Sequence, residues 1–302
     1  MDDNPMSDNR EQLIGVSVQG SIVSPEYPAL PATPYVIGAD GQPQLLPSQG
    51  GIVYNVRVGD SAYGWLADLV QPGVSIRASA EPANQALNVL SCLGNEAIVV
   101  SGQATGARGT VIGKSGRFAE HVIVHFAKET LEQLAIDDRV LVRAHGRSLA
   151  LADYPDVQLK SISPRLLDAL EIEPDAPGTI AVPVTAEVPA FLIGAGSGLM
   201  HESGCIQIQT DHRAPLAEHG LDELRLGDVV AVRDYDSRWG NGYLKDAVCV
   251  GVVVHGDSPR AGYGPGLTVI MASTANRIRP VQRGGRNIAE LLGLGATVGA
   301  AA

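Results

Sequence analysis

Residues 247–271 read AVCVGVVVHGDSPRAGYGPGLTVIM, and this stretch decides the fold. A Val-rich run ends at His255, a loop punctuated by glycine and proline follows, and a second apolar run begins at Leu267. That is the pattern of strand, turn and strand. Period two along the first run puts His255 and Asp257 on one face, roughly 6–7 Å apart at the backbone. An imidazole and a carboxylate so placed can share a divalent metal or act as an acid–base pair. The plainer alternative is a polar strand end beside a tight turn. Tyr263, Gly264 and Gly266 carry the loop, whose small bulk is expected to let a ligand reach backbone amides.

Working outward, the same alternation of short β-branched runs with Gly, Pro and Asp recurs along the chain. It predicts strands near 12–18, 51–58, 97–101, 108–113, 119–126, 138–144, 179–187, 205–209, 228–234, 246–255 and 267–271. Helical patterns are few, at 82–90, 127–134, 163–170 and 285–292. In the third, Ser163 before Pro164 is a favoured cap and first-turn residue. The expected fold is mainly β, with β-barrel-like lobes, a few short helices and two domains. The divisions expected are a disordered leader at 1–11, an N-terminal β-rich domain at 12–170 and an acidic, proline-containing linker at 171–178. A C-terminal β-rich domain at 179–291 and a flexible tail at 292–302 complete them. Glycines 102, 106, 109 and 113 in VVSGQATGARGTVIGK resemble a KOW element, which implies a small KOW/SH3-like barrel hairpin in the first domain. LEQLAIDDRVLVRAHG and LDELRLGDVVAVRDYD echo each other as helix, turn and strand, either two barrels on one theme or a common unit used twice.

Lys and Arg total 22 against 33 Asp and Glu, a net charge of −11 over 302 residues. That balance argues against nucleic acid, whose binding rests on clustered cations, and against an anionic membrane surface. No apolar run approaches the roughly 20 residues of a membrane helix. Three scattered cysteines form neither a C-x-x-C pair nor a disulfide framework. The start, MDDNPMSDNREQ, lacks the regions of a signal peptide. A cytoplasmic protein is expected.

Strand arithmetic separates two acidic pairs. If 228–234 and 246–255 form a direct hairpin, Asp234 faces Asp246, and His255 lies opposite Arg225 to Gly227. Asp234 and Asp236 are then about 25 Å from His255, and Arg225 becomes the neighbour of Asp257. The loop Gly194–Gly198 departs from a dinucleotide fingerprint in spacing and lacks a following helix, so it reads as a plain loop or anion nest with His201 and Glu202 at its rim. Cys205 near His201 has no third partner to complete a nucleophilic set. His121 and His125, about 13 Å apart on one strand, are too distant for one metal and read as a polar barrel face. His145, His212 and His219 are scattered surface or capping groups. Trp65 and Asp68 follow a strand as a pocket wall or a barrel plug, and Trp239 sits in a similar segment.

Several stretches together resemble the uncharacterised family known as domain of unknown function 4438: GGIVYNVRVGD (50–60), CLGNEA (92–97), HVIVHF (121–126), YPDV (154–157), GLDELRLGD (220–228) and GVVVHGDSPRAGYGPGLTVIM (251–271). The resemblance implies a mixed, mostly β, multi-lobed fold that is oligomeric, and it brings no established activity. Leu69, Ser115 and Tyr263 stand where that pattern leads one to expect histidine.

The reading adopted is a small-molecule enzyme of lyase, cyclase or hydrolase type, acting on a polar metabolite in a cleft between the domains. His255 is its base or ligand, Asp257 an orienter and Arg225 the holder of a substrate carboxylate, with Asn55, Trp65, Asp68 and Glu96 contributed by the N-terminal domain. A divalent metal on His255 and Asp257 is possible, and no nucleotide cofactor is expected. The partners expected are a small-molecule ligand and further copies of the chain in a homo-oligomer. The alternative is a non-catalytic ligand-binding or scaffold protein.

Overall fold

The computed structural model describes residues 6–25, 35–115, 120–196, 204–211, 213–238 and 242–294. In the first half, strands β1 (Val16–Ile22), β2 (Gly73–Arg77), β3 (Glu96–Val99), β4 (Arg108–Ser115), β5 (His121–His125) and β6 (Arg139–Ala144) pair antiparallel in the order β1-β6-β3-β4-β5-β2. Ser21 opposite Arg77 joins β2 back to β1 and closes a six-stranded barrel. A closed sheet has no free edge. Valines and isoleucines of alternate positions fill it, among them Val74, Ile76, Val111, Val122, Val124, Val140 and Val142. Such small branched side chains suit a narrow lumen in a chain with few aromatics. The helix Glu81–Leu90 lays Leu87 on β1, where a Cβ on Gly20 would lie 2.8 Å from a Leu87 methyl.

The second half is an open sheet. Strands β7 (Gln158–Leu159), β8 (Ile180–Val184), β9 (Ala186–Pro189), β10 (Ile206–Gln207), β11 (Val229–Asp236), β12 (Gly242–His255), β13 (Gly266–Ser273) and β14 (Ile278–Gln282) follow in chain order. The main sheet runs β7-β13-β12-β11-β9, with β10 also paired to β13, and β8 pairs β14 beside it. β9–β11 and β8–β14 are parallel, the remaining pairs of these sheets antiparallel. The two echoing segments therefore build different sheets, one closed and one open.

The two halves share a core. Ile112 and Ile123 of the barrel pack in one cluster with Val250, Val252 and Val254 of β12. β7, from the segment before residue 170, is itself a strand of the second sheet. The expected linker is pinned rather than free: Ile172 is buried in this cluster and Glu173–Pro174 pairs with β8. Residues 6–11, expected as a disordered leader, are also packed. Met6 is buried, and Arg10 bridges Asp8 and Asp168 at 2.7 Å each. Leu292 and Leu294 likewise bury apolar surface, so the tail starts later than 292, and its remainder from 295 lies outside the described residues. No helix among the described residues is long and apolar enough to cross a membrane.

Gly113 marks a close contact between barrel and sheet, since a Cβ there would collide with a Val254 methyl. Gly113→Ala should therefore cost about 1–3 kcal/mol by overpacking a β-branched neighbour. Urea unfolding of G113A, V254A and the double variant should show a combined loss clearly smaller than the sum, because V254A empties the space that the methyl added by G113A would fill.

Candidate functional site

β12 delivers His255 to its last position, opposite Gly266 of β13. The imidazole lies flat over that glycine, so close that a Cβ at 266 would collide with Nε2. β10 pairs with the same end of β13, at Leu267 and Gly266, and this sets Cys205, the residue before it, with Sγ 3.3 Å from His255 Nε2. Nδ1 lies 3.0 Å from the Gly256 carbonyl. A carbonyl only accepts, so Nδ1 carries the proton and Nε2 offers its lone pair to the thiol. Burial of His255 lowers its pKa to about 4, so the ring is neutral at pH 7. A thiol, a neutral base and an orienting acceptor thus stand in line. Cys205 thus meets His255, while His201, Glu202, His212 and Trp239 lie outside the described residues.

Asp257 does not share that face. The strand ends at His255, and the chain turns onto the segment 62–70: Gly256 N–H donates to Val70 O, Asp257 N–H to Ala62 O, and Leu69 N–H to Asp257 O, at 2.8–2.9 Å. Period two fails where the strand stops. The carboxylate accepts from the Thr210 hydroxyl and, at 2.6 Å, from Arg213 Nη2. The Arg213 guanidinium lies 5.4 Å from the centre of the Tyr63 ring. A second arginine mirrors it. Arg260 meets the buried Asp68 carboxylate at 3.1 Å and stacks 4.0 Å over Tyr263, while Ser258 Oγ donates to Asp68 at 2.7 Å. Two guanidiniums, each held by a carboxylate and each over a tyrosine, line the seam where the halves meet.

The other expected site residues fall as follows. The register of β11 and β12 is the one the arithmetic gives, with Gly227 N–H bonded to Val253 O, and Asp234 accepts from Asp246 N–H at 2.7 Å, at the far end from His255. Arg225, however, pairs with Asp228 and Glu290 at 3.6–3.7 Å, and the arginine on Asp257 is Arg213. Asp68 is a buried counter-ion and Leu69 is buried at a positive φ of 58°. Glu96 binds Arg108 and Arg143 on the barrel surface. Asn55 and Trp65 line a separate open cavity. The loop Gly262–Gly266 is not an open cradle: Gly264 N–H donates to Gln207 Oε1, Gly262 N–H to Asp211, and a Cβ at 264 would collide with the Ile208 carbonyl. Gly264 and Gly266 serve close packing, whereas Gly262 takes a positive φ of 77° with open space around it. His121 is buried with Nδ1 3.2 Å from Gln71 Oε1, opposite Ser115 across β4 and β5. Among the described residues no three His, Cys, Asp or Glu side chains converge as metal ligands, and the side chains of His255 and Asp257 turn to different partners.

The chain matches the family model "Domain of unknown function (DUF4438), N-terminal" over residues 35–168 and its C-terminal counterpart over residues 169–292. It is similar to the crystal structure of TM1086, at 41% identity and a TM-score of 0.88, covering 94% of this chain and 98% of that one. No curated protein matches it.

His255 carries a pH signature. Its folded pKa lies below the unfolded value near 6.5, so between the two the unfolded chain holds the extra proton and stability falls as pH falls from about 6.5 to about 4. Urea midpoints should drop across that window. His255→Gln should lower the midpoint at pH 7 and flatten the slope, leaving the share of His121, whose pKa is also near 4.

Proposed function

We propose that this chain, which belongs to the DUF4438 family through both of its halves, is a small-molecule enzyme that uses Cys205 as nucleophile and His255 as its base. The observation that carries the reading is the 3.3 Å approach of the thiol to Nε2, with Nδ1 anchored on a backbone carbonyl. Nucleophile, base and orienting group are the three parts such catalysis needs. The neutral ring keeps its lone pair available at pH 7 and resists a resting thiolate–imidazolium pair in so dry a site. The proton therefore moves from sulfur to Nε2 as sulfur bonds to an electrophilic carbon, and it then serves the leaving group. That suits a hydrolase, lyase or cyclase acting on a polar metabolite. Arg213, more than half exposed, supplies the positive charge for an acidic substrate at the seam.

A non-catalytic ligand-binding protein is the second reading, and one observation favours it: His255 is wholly buried and Cys205 is 6% exposed. Thiol alkylation separates the two. On the native protein iodoacetamide should label Cys205 and spare Cys92 and Cys249, both buried and with thiol pKa values pushed up, Cys249 to about 12. His255→Gln should slow Cys205 labelling at least tenfold, read by peptide mass spectrometry. The rate on the native protein should also fall as pH is lowered toward the histidine's titration. A Cys205 that reacts only after denaturation would sink the enzyme reading and leave the binding one.

A further inference from the structure

The open cavity that holds Asn55 and Trp65 has a volume of about 640 Å³ and is separate from the thiol–imidazole pair. Its walls combine two aromatic rings, Tyr54 and Trp65, with two cations, Arg57 and Lys128. In a chain of net charge −11, most arginines stand against carboxylates, as Arg10, Arg108, Arg143, Arg213, Arg233, Arg260 and Arg279 do. Arg57 and Lys128 have no such partner among the described residues. The one carboxylate in the lining, Asp60, accepts Arg57's own backbone N–H at 2.7 Å, so the cavity keeps one positive charge over.

The wall is also fixed in advance. Trp65 Nε1 donates to the Ser61 carbonyl at 2.8 Å, which sets the indole plane. Asp60 N–H returns to Arg57 O at 3.1 Å, and Gly59, at a φ of +101°, donates to Leu226 O across the seam. Tyr54 is 54% exposed, an apolar face left open to solvent beside these cations. An anchored indole and an open tyrosine ring, sharing a cavity with a guanidinium and an ammonium that keep one positive charge in excess, suit a flat ring that bears an anion, with the ring stacked and the anion taken by the cations.

We infer that this cavity is a second ligand site, which binds an aromatic anion, a ring bearing phosphate or carboxylate, through Arg57, Lys128, Tyr54 and Trp65. It stands apart from the thiol chemistry and is measurable in a Cys205→Ser protein.

Only two tryptophans occur, Trp65 and Trp239, so Trp239→Phe makes Trp65 the reporter. Titration with phenyl phosphate and with benzoate, beside inorganic phosphate, should give saturable quenching by at least one aromatic anion, at least tenfold tighter than by inorganic phosphate. The better of the two identifies the anion. Arg57→Ala and Lys128→Ala should each weaken binding several-fold without changing the melting temperature, since neither side chain is paired, while Arg139→Ala, outside the cavity, should leave it alone. Absence of saturable quenching by both aromatic anions would overturn the proposal. So would equal binding of inorganic phosphate, or unchanged binding in R57A.

Discussion

The arrangement depends on how the end of β12 is strapped to the segment 62–70. Three backbone hydrogen bonds join Gly256, Asp257, Ala62, Leu69 and Val70, residues nearly two hundred positions apart in sequence. Each buries a donor and acceptor that would otherwise be left unpaired in a dry seam, where an orphan costs about 1–3 kcal/mol. Because these bonds turn the chain out of the sheet at His255, the imidazole stays beneath while Asp257 is carried outward. The Gly256 carbonyl, held in the same strap, is the group that fixes the imidazole's tautomer. The charged seam and the thiol–imidazole pair are two faces of one backbone constraint.

Charge is distributed around that strap with consequences for each side chain. Asp68 is 1% exposed, a buried polar group that needs partners, and Ser258 and Arg260 supply the hydrogen bond and the counter-charge. Arg260 in turn lies on Tyr263, a planar contact that a lysine could not reproduce. The more open Arg213–Asp257 pair is partly screened by water and holds the seam less firmly.

Much of this fold is legible in the sequence wherever pattern and physics coincide. The Val-rich runs of β11 and β12 follow from their pattern, and once a direct hairpin is assumed so do their register up to the bulge at Asp234 and the distance that keeps Asp234 and Asp236 from His255. What fails does so for local reasons. The run 51–58 looks like a strand, but glycines at positive φ on either side leave only Ile52–Val53 paired. β14 escapes the pattern because Pro280 and Arg279 interrupt its short apolar run. The helix Arg213–Glu218 is hidden by its own Pro215, and with it goes the arginine that meets Asp257. Cys205 and His255 are fifty residues apart, joined only through the pairing of β10 with β13, which no local period reveals.

Gly266 shows why the pair is a matter of architecture rather than of composition. Any side chain there would occupy the position of the imidazole, so the strand sacrifices a packing group and some rigidity to admit the ring. Gly264 makes a second concession, letting the following loop close on the Ile208 carbonyl and thereby hold β10, with Cys205 at its start, against β13. A histidine needed only to fill the core could be replaced by leucine with less cost in backbone freedom. The two glycines instead preserve one contact, sulfur on Nε2, in a site dry enough to keep the ring neutral. Burial keeps this ring neutral, with the Nε2 lone pair turned to the sulfur it faces.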